Sequence, residues 1–532
     1  MAEPWWRDAV VYQVYPRSFA GSGGSGEGDL RGIRSRLGYL SDLGVTAIWL
    51  NPFYRSPMRD SGYDVADYFD VDPRFGTLDD FDALVDAAGN LGIRVIVDIV
   101  PNHCSAAHPW FQEALADSPG GAARERFVFR DQPNNWESHF GGPAWTRVPD
   151  GQWYLHLFDS SQPDFNWRHP DVVAMFDRVL RFWLDRGAAA IRIDMANTLY
   201  KEAELPDLPT DPTSWPYYHQ PEVHELYRSW RAILDSYPAD EFPSPRGAIA
   251  EIWFSRAEEV LPYLTADGLP QTFNFRLMRV AWAALELRAV IAEARDLTRG
   301  RDNSMPWVLG NHDITRLVSR LGVDQDLIRV PTDDWCRGTA PVDLAVGTRR
   351  ARAAALLLLA LPGSAYIYQG DELGLPEHFD IPADRRDDPT FRRTGGAAVG
   401  RDGCRIPMPW SGTAPPFGFT REPVHTWLPQ PDWSALTVEA QLAAPDSMLN
   451  LYRTALRLRH SHPALGDGDL DWLELGDEVL AFRRRPGFLF VANLGDQAVQ
   501  LPPEHRTLLA SGPVPSGLLP TDTAVWLDSA TS

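Results

Sequence analysis

Apolar residues along most of the chain fall into short continuous runs of strand length, each followed by loop residues and then a stretch with helical spacing. The runs are "VVYQVY" (10–15), "AIWL" (47–50), "RVIVDIV" (94–100), "AAAIRID" (188–194), "AIAEIW" (248–253), "TFNF" (272–275), "PWVLGNHD" (306–313) and "AYIYQGDE" (365–372). Between them, segments such as "LDDFDALVDAAGNLG" and "PDVVAMFDRVLRFWLDRG" carry apolar residues at i, i+3, i+4 and stop at glycine. Continuous apolar strands suit a parallel sheet covered on both faces, and eight is the number a closed (β/α)8 barrel needs. The predicted fold class is therefore α/β, a (β/α)8 TIM barrel.

Two excursions break the spacing. Residues 104–167, rich in Trp, Pro, Gly and Asn, are too long for an ordinary βα loop and predict a small inserted domain after strand 3. A second excursion, about 374–440, follows strand 8 and carries "GRDGCRIPMPW". After a helical stretch at "SMLNLYRTALRLRHSHPAL", the chain alternates like short strands ("LDWLEL", "VLAFRRR", "FLFVANL", "TAVWLD"). The expected organisation is barrel over 1–103 and 168–464, an inserted domain over 104–167, and a C-terminal antiparallel β-sandwich over 465–532.

Composition narrows the function. With 532 residues, 44% of them hydrophobic, the chain can bury a large core. A net charge of −22 repels phosphate backbones and anionic lipid, which argues against nucleic-acid and membrane partners. The longest aliphatic segment, "ARAAALLLLALPG", is too short to span a bilayer, and no basic leader with an apolar core opens the chain, so a cytoplasmic location is expected. Cys104, Cys336 and Cys404 are widely spaced with no CxxC, suggesting neither a disulfide framework nor a zinc site. Basic charge is almost all arginine; Lys201 is the single lysine.

In a barrel of this kind, side chains at the carboxyl ends of the strands face the active site. Those ends carry Asp98 with Asn102 and His103, Arg192 with Asp194, Glu251, and Asn311 with His312 and Asp313. Arg192 and Asp194, two apart on a strand, project from one face. Their charges can pair, either as a structural ion pair or with the guanidinium favouring an ionised nucleophile. Glu251, closing an apolar strand, is either a satisfied rim residue or a carboxyl kept protonated by burial for general acid work. Asp194 and Glu251 at one mouth form a pair of the kind glycosidases use, and retention of configuration would set them about 5–5.5 Å apart. His103 and His312 lack a second histidine at metal spacing, so hydrogen bonding to substrate hydroxyls is a better reading than metal ligation. Tyr63, in "DSGYDV", offers a flat face to a sugar ring.

Taken in order, "YQVYPRSF", "GYDVADY", "DIVPNH", "QPDFNW", "IRIDMAN", "AEIW", "LGNHD" and "YIYQGDELG" make the chain resemble the α-amylase superfamily of glycoside hydrolases over essentially its whole length. The bacterial α-glucosidase and oligo-1,6-glucosidase branch is the nearest. The resemblance implies Asp194 as nucleophile, Glu251 as general acid/base and Asp313 as the carboxylate that grips the glucose ring. It implies Tyr63 as stacking platform, His103, Arg192 and His312 as the hydrogen-bonding shell, and Asp98 as the residue holding Arg192. Asp60 with an arginine of "GRDGCR", Arg401 in preference to Arg405, would close the pocket around one terminal glucose. The implied activity is a retaining, exo-acting α-glucosidase on short oligosaccharides, capable of transglucosylation, with no cofactor. Isomerases of trehalose or sucrose type and non-catalytic binding relatives are the alternatives. Met195, just after the proposed nucleophile, matches neither the valine of α-1,6 relatives nor the alanine or threonine of α-1,4 relatives. Maltose-type α-1,4 substrates are preferred because "MANTLY" looks unlike the 1,6 branch.

The first βα loop, "SFAGSGGSGEGDLRGI", stands where relatives often carry a calcium loop of the DxNxDGxGD type. Here Gly21, Gly23 and Ser25 occupy ligand positions and only Asp29, with Glu27 nearby, supplies carboxylates, too few for the six to eight oxygens calcium takes. No lysine or arginine lies among the glycines to make a phosphate cradle. A metal-free loop held by hydrogen bonds is the expectation.

Overall fold

The computed structural model describes residues 4–529 except 211–214, 239–240, 255, 330–337 and 503–504. Cys336 lies outside the described residues. Eight parallel strands, here β1 Val10–Val14, β2 Ala47–Leu50, β3 Arg94–Ile99, β4 Ala190–Ile193, β5 Gly247–Ala250, β6 Gln271–Thr272, β7 Trp307–Val308 and β8 Ala365–Tyr368, make one curled sheet. Its order is β6-β5-β4-β3-β2-β1-β8-β7. The two edges meet at a parallel bridge between Gln271 and Ser304, where Thr272 N donates to Ser304 O at 3.2 Å and Ser304 N to Pro270 O at 3.1 Å. The barrel therefore closes through one residue pair rather than a full ladder.

Alternation along the strands separates two cores. Val11, Trp49, Ile96, Ile249, Phe273 and Tyr366 pack inside the barrel, while Val10, Tyr12, Ile48, Leu50, Val95 and Val97 point outward to the helices. Helices Leu78–Gly89 and Pro170–Asp185 start at side-chain caps, Thr77 with a capping box and His169 followed by proline. The aliphatic segment lies in the helix Leu344–Ala360, and no helix among the described residues is long and apolar enough to cross a membrane.

Most strands are shorter than the apolar runs predict, and β6 and β7 are cut to two residues each. β7 ends at Val308, not at Asp313, because Arg320 turns back to take the Leu309 carbonyl and removes it from the ladder. β6 ends at Thr272, and the Asn274 side chain accepts from Arg276 N to start a short helix. The residues 311–313 thus sit on a loop beyond the strand.

Between β3 and β4 the chain forms a helix, Pro109–Ala116, and a three-stranded antiparallel sheet of Phe129–Arg130, Trp153–Leu155 and Trp145–Arg147. After β8, short turns and single-turn helices carry Arg401 and Arg405 back over the barrel. At the C-terminus, strands Asp471–Leu473, Val479–Arg484, Phe488–Asn493, Thr523–Ser529 and His505–Ala510 pair in that order as one antiparallel sheet. One face packs on the helix Leu344–Ala360, with Trp526 Nε1 donating to Leu356 O at 3.1 Å. The other is covered by a two-stranded ribbon, Val499–Gln500 with Leu518–Leu519, through Leu501 and Leu519.

Candidate active site

At the carboxyl ends of β3, β4 and β5 one guanidinium meets three carboxylates. Arg192 and Asp194 flank Ile193 on the same face of the chain. Arg192 Nη1 donates to Asp98 Oδ1 and Oδ2 at 2.8 and 3.0 Å and to Asp194 Oδ1 at 2.7 Å, while Nη2 donates to Glu251 Oε2. Asp194 and Glu251 thus occupy opposite terminal nitrogens of a single side chain. Met195 sits in the left-handed region at φ 43°, unusual for a residue with a Cβ, and its N–H donates to Glu251 Oε2 at 3.1 Å. Trp253 Nε1 donates to Glu251 Oε1 at 2.9 Å.

All four groups are buried. Burial pushes the Asp194 carboxyl well above the usual range; Arg192 opposes it, and the charges of Glu251 and Asp98 add to the rise. Asp98 is pushed up to about 6 by burial against the pull of Arg192. One positive charge among three carboxylates leaves the cluster short of compensation, and Asp98 and Asp194 keep their protons to higher pH than isolated aspartates do.

Across the pocket the ratio changes. Arg401 Nη2 donates to Asp60 Oδ1 at 2.6 Å, Nη1 to Asp313 Oδ1 at 2.9 Å and Nε to Asp388 Oδ2 at 2.6 Å. Arg405 Nη2 also donates to Asp313 Oδ1 at 2.9 Å and its Nε to the His312 carbonyl at 2.9 Å. Burial disfavours an ionised Asp313, but His312, Arg401, Arg405 and Arg192 outweigh it and hold the carboxyl below the usual range. Asp60, deeply buried, is raised despite Arg401 and Arg405. The structure brings Arg401 to Asp60, whereas Arg405 reaches Asp313.

Between these clusters lie flat rings. Tyr63 and His312 stack with centroids 5.2 Å apart and planes 5° from parallel. Asn51 Nδ2 donates to Tyr63 Oη at 2.7 Å, and Tyr63 Oη donates to Asp98 Oδ2 at 3.0 Å, so the platform is pinned from two sides. Gln13 Nε2 lies 2.7 Å from His312 Nδ1, and His312 Nε2 lies 3.2 Å from Asp313 Oδ2. Burial drives the His312 pKa well down, leaving a neutral ring that accepts from Gln13 and donates to Asp313. His103 packs its ring 4.9 Å from Phe158 and contacts the Tyr63 carbonyl at 3.2 Å. Every residue singled out in the sequence, namely Asp60, Tyr63, His103, Arg192, Asp194, Glu251, His312, Asp313 and Arg401, belongs to this one constellation.

Sequence reasoning missed four members. Gln162 opens "QPDFNW" and its Nε2 donates to Asp60 Oδ2 at 3.1 Å. Asp388 anchors Arg401, and Gln13 and Asn51 orient His312 and Tyr63. The motif containing Gln162 was a usable signal; Asp388 lies in an arginine-rich turn with no pattern to mark it.

Beside Glu251 opens a groove of about 980 Å3 lined by Trp215, Tyr218, Trp253, Phe254, Phe275 and Arg279 among others. Trp253 joins it to the carboxylates, and the Arg279 guanidinium lies 4.9 Å from the Trp253 ring centroid. In the glycine loop, Ser22 N and Oγ donate to Asp29 Oδ2 at 2.9 and 2.8 Å, and Gly32 N donates to Asp29 Oδ1 at 2.6 Å, capping the helix Leu30–Ser35. Arg17 pairs with Glu27 at 2.7 Å. Both oxygens of Asp29 are thus engaged within the loop, and among the described residues no group of three or more His, Cys, Asp or Glu is arranged to hold a metal ion.

The α-amylase catalytic-domain family model matches residues 13–468. A probable α-glucosidase of Rhizobium meliloti (strain 1021) is 37% identical over 525 residues, covering 93% of this chain and 90% of that protein. Among solved structures, the α-glucosyl transfer enzyme XgtA superposes with a TM-score of 0.85 at 34% identity, covering 99% of this chain and 100% of the other. The trehalulose synthase MutB of Pseudomonas mesoacidophila MX-45 does so with a TM-score of 0.86 at 30% identity, covering all of both chains.

Proposed function

The chain belongs to the α-amylase family of glycoside hydrolases, and on that premise we propose that it is a retaining, exo-acting α-glucosidase. Its substrates are short maltose-type oligosaccharides. The observation that carries this reading is Asp194 and Glu251 held on the two terminal nitrogens of Arg192, facing the Asp60–Arg401–Asp313 cluster. Two carboxyl groups held by one guanidinium can act on the same glycosidic bond, as the nucleophile and the acid/base of a retaining enzyme do.

Glu251 delivers a proton to the glycosidic oxygen while Asp194 attacks the anomeric carbon through an oxocarbenium-like transition state. The leaving sugar departs into the groove beside Trp253. Deprotonated Glu251 then takes a proton from water, whose oxygen displaces Asp194 and releases α-glucose. Ionised Asp313 binds ring hydroxyls, and its charge supports the positive transition state. Tyr63 and His312 stack against the sugar, and the Asp60–Arg401 bridge closes the end of the pocket, so that one terminal glucose fits and a polymer interior does not. When a second sugar in the groove replaces water, the product is a transglucoside.

The high structural similarity to XgtA and MutB, with the aromatic groove beside Glu251, favours a second reading in which a bound sugar is the normal acceptor. A panel of maltose, isomaltose, sucrose and trehalose, followed by proton NMR of the products, tests both. The expected result is glucose from maltose, appearing first as the α-anomer. Maltose left intact while sucrose or trehalose is rearranged would overturn the hydrolase reading.

A further inference from the structure

The two pocket histidines differ in what decides their protonation. His312 is set by partners inside the pocket, Gln13 and Asp313, whereas the ring of His103 is set from behind. Lys201 is buried, with Nζ 2.8 Å from Asp164 Oδ2 and 2.7 Å from Asn102 Oδ1. We propose that Lys201, the only lysine of the chain, is a positioning residue that acts through Asn102 to fix the proton of His103 on Nε2, so that the ring meets the sugar as a hydrogen-bond donor. The role given to the sugar rests on the function proposed above; the position of the proton does not.

An ammonium group has only donors, so the end of the Asn102 amide that faces it must be the oxygen. Thr198 Oγ1 lies 3.0 Å from the same oxygen and 2.7 Å from the Met195 carbonyl, so its one proton is shared between two acceptors and the ammonium alone decides the orientation. The amide nitrogen then faces His103 Nδ1 at 3.2 Å and donates to it. Nδ1 therefore carries a lone pair. Burial pulls the His103 pKa down to about 4, so near neutral pH the ring has a single proton, and that proton belongs to Nε2.

The other edge of the ring agrees. His103 Nε2 lies 3.2 Å from the Tyr63 carbonyl, an acceptor. Gln162 Nε2 is 3.1 Å away, but Gln162 Oε1 accepts from Asp159 N at 2.9 Å, so its nitrogen end also faces the ring and can only donate. One N–H of the Gln162 amide donates to Asp60 Oδ2 at 3.1 Å, and with His103 Nε2 protonated by the Asn102 argument the second N–H has no acceptor on the ring. The protonated edge of His103 is thus turned towards Tyr63 and, past Gln162, towards Asp60. Turning the Asn102 amide over would set an NH2 group against the ammonium and leave buried donors unpaired, a bias of roughly tenfold or more in favour of the Nε2–H form.

The full-length protein labelled with 15N-histidine, with His103 assigned by His103→Gln, reports the tautomer directly in long-range proton–nitrogen spectra without any sugar. The expected pattern is Nε2 protonated and Nδ1 bare. Asn102→Asp presents an oxygen to both neighbours, so the proton should move to Nδ1. In that variant kcat/KM for maltose at neutral pH should fall roughly tenfold or more, and the deficit should shrink at lower pH, where the ring gains its second proton and Nε2–H returns. A merely structural lesion would give the same deficit at every pH. The charged and titratable groups facing the ring are Asp164 and Lys201 on the Asn102 side, His139 beyond Phe158, and Asp60 beyond Gln162.

Because Asn102→Asp adds a buried charge, a second variant removes the ion pair as a neutral unit. Lys201→Met with Asp164→Asn should give a mixture of both tautomers. A wild-type His103 protonated on Nδ1, or the same Nε2–H pattern in both variants, would overturn the relay. The predicted tautomer in a protein that hydrolyses no α-glucoside would uphold the relay and count against the function proposed above.

Discussion

On the β3–β5 side of the pocket one guanidinium serves Asp98, Asp194 and Glu251, whereas on the opposite side Arg401 and Arg405 together serve Asp60, Asp313 and Asp388. Both sides are built of carboxylates and arginines, and every carboxylate but the part-exposed Asp313 is buried. The number of arginines differs, and the proton affinity differs with it: Asp98 and Asp194 are raised, whereas Asp313 and Asp388 are lowered and Asp60, deeply buried, is the raised member of its side. A cluster short of positive charge can hold and hand over protons, as acid–base chemistry needs. Asp313, held by two arginines, stays ionised, which suits gripping a sugar and stabilising a cationic transition state.

The sharpest way to break this comparison is to exchange single carboxylates. Asp194→Asn should reduce kcat on maltose by about 10^4-fold or more, the scale of losing a nucleophile. Asp313→Asn should cost about 10^2–10^3-fold, the scale of one preorganised charge at the transition state. Equal losses in the two variants would contradict the division of labour.

Next in size is Arg401→Met. It removes the link between Asp60, Asp313 and Asp388, so KM for maltose should rise about tenfold or more while kcat falls less. A fall in kcat with KM unchanged would place Arg401 in the chemistry instead of the pocket's closure.

pH separates the sides by sign. An ionised Asp194 is required, and burial with the charges of Glu251 and Asp98 raises its pKa above the usual carboxylate range, so the acid limb of kcat/KM should lie at higher pH than an unperturbed aspartate would give. Asp98→Asn should move that limb to lower pH by removing one negative neighbour of Asp194. For stability, Asp98 binds its proton more tightly folded than unfolded, so its contribution falls as pH rises from about 4 through about 6. Asp313 does the reverse: its folded pKa is depressed, so its contribution is present above about 4 and is lost on acidification. Thermal unfolding of Asp98→Asn and Asp313→Asn should therefore differ from wild type with opposite pH slopes.

Smallest is the effect expected in the first βα loop, remote in kind from both clusters. A chelator should leave the melting temperature unchanged, because both oxygens of Asp29 are taken by Ser22 and Gly32. A fall restored by added calcium would show a metal where hydrogen bonds are described.

Much of this was legible in the sequence because it is local. The eight continuous apolar runs mark the barrel strands, and the two-residue spacing of Arg192 and Asp194 puts both in one cluster. The β7 run misled, since a distant side chain, Arg320, ends the strand early. The strand His505–Ala510 escaped notice because none of its residues is fully buried and they lack apolar alternation. Gln162 stands in a visible motif, but its partner Asp60 lies 102 residues away, and Asp388, which anchors Arg401, was beyond reach because no local pattern marks its arginine-rich turn. The left-handed Met195, which aims a backbone N–H at Glu251, is likewise a product of the fold.

The most direct test of the central claim, that the carboxylate on the arginine-poor side attacks the sugar, is trapping of the intermediate. The protein is incubated with a fluorinated α-glucosyl fluoride that forms the glucosyl ester faster than it hydrolyses, digested, and sequenced by mass spectrometry. The account predicts one label, on Asp194. A label on Asp313, or no label while maltose yields β-glucose, would contradict it.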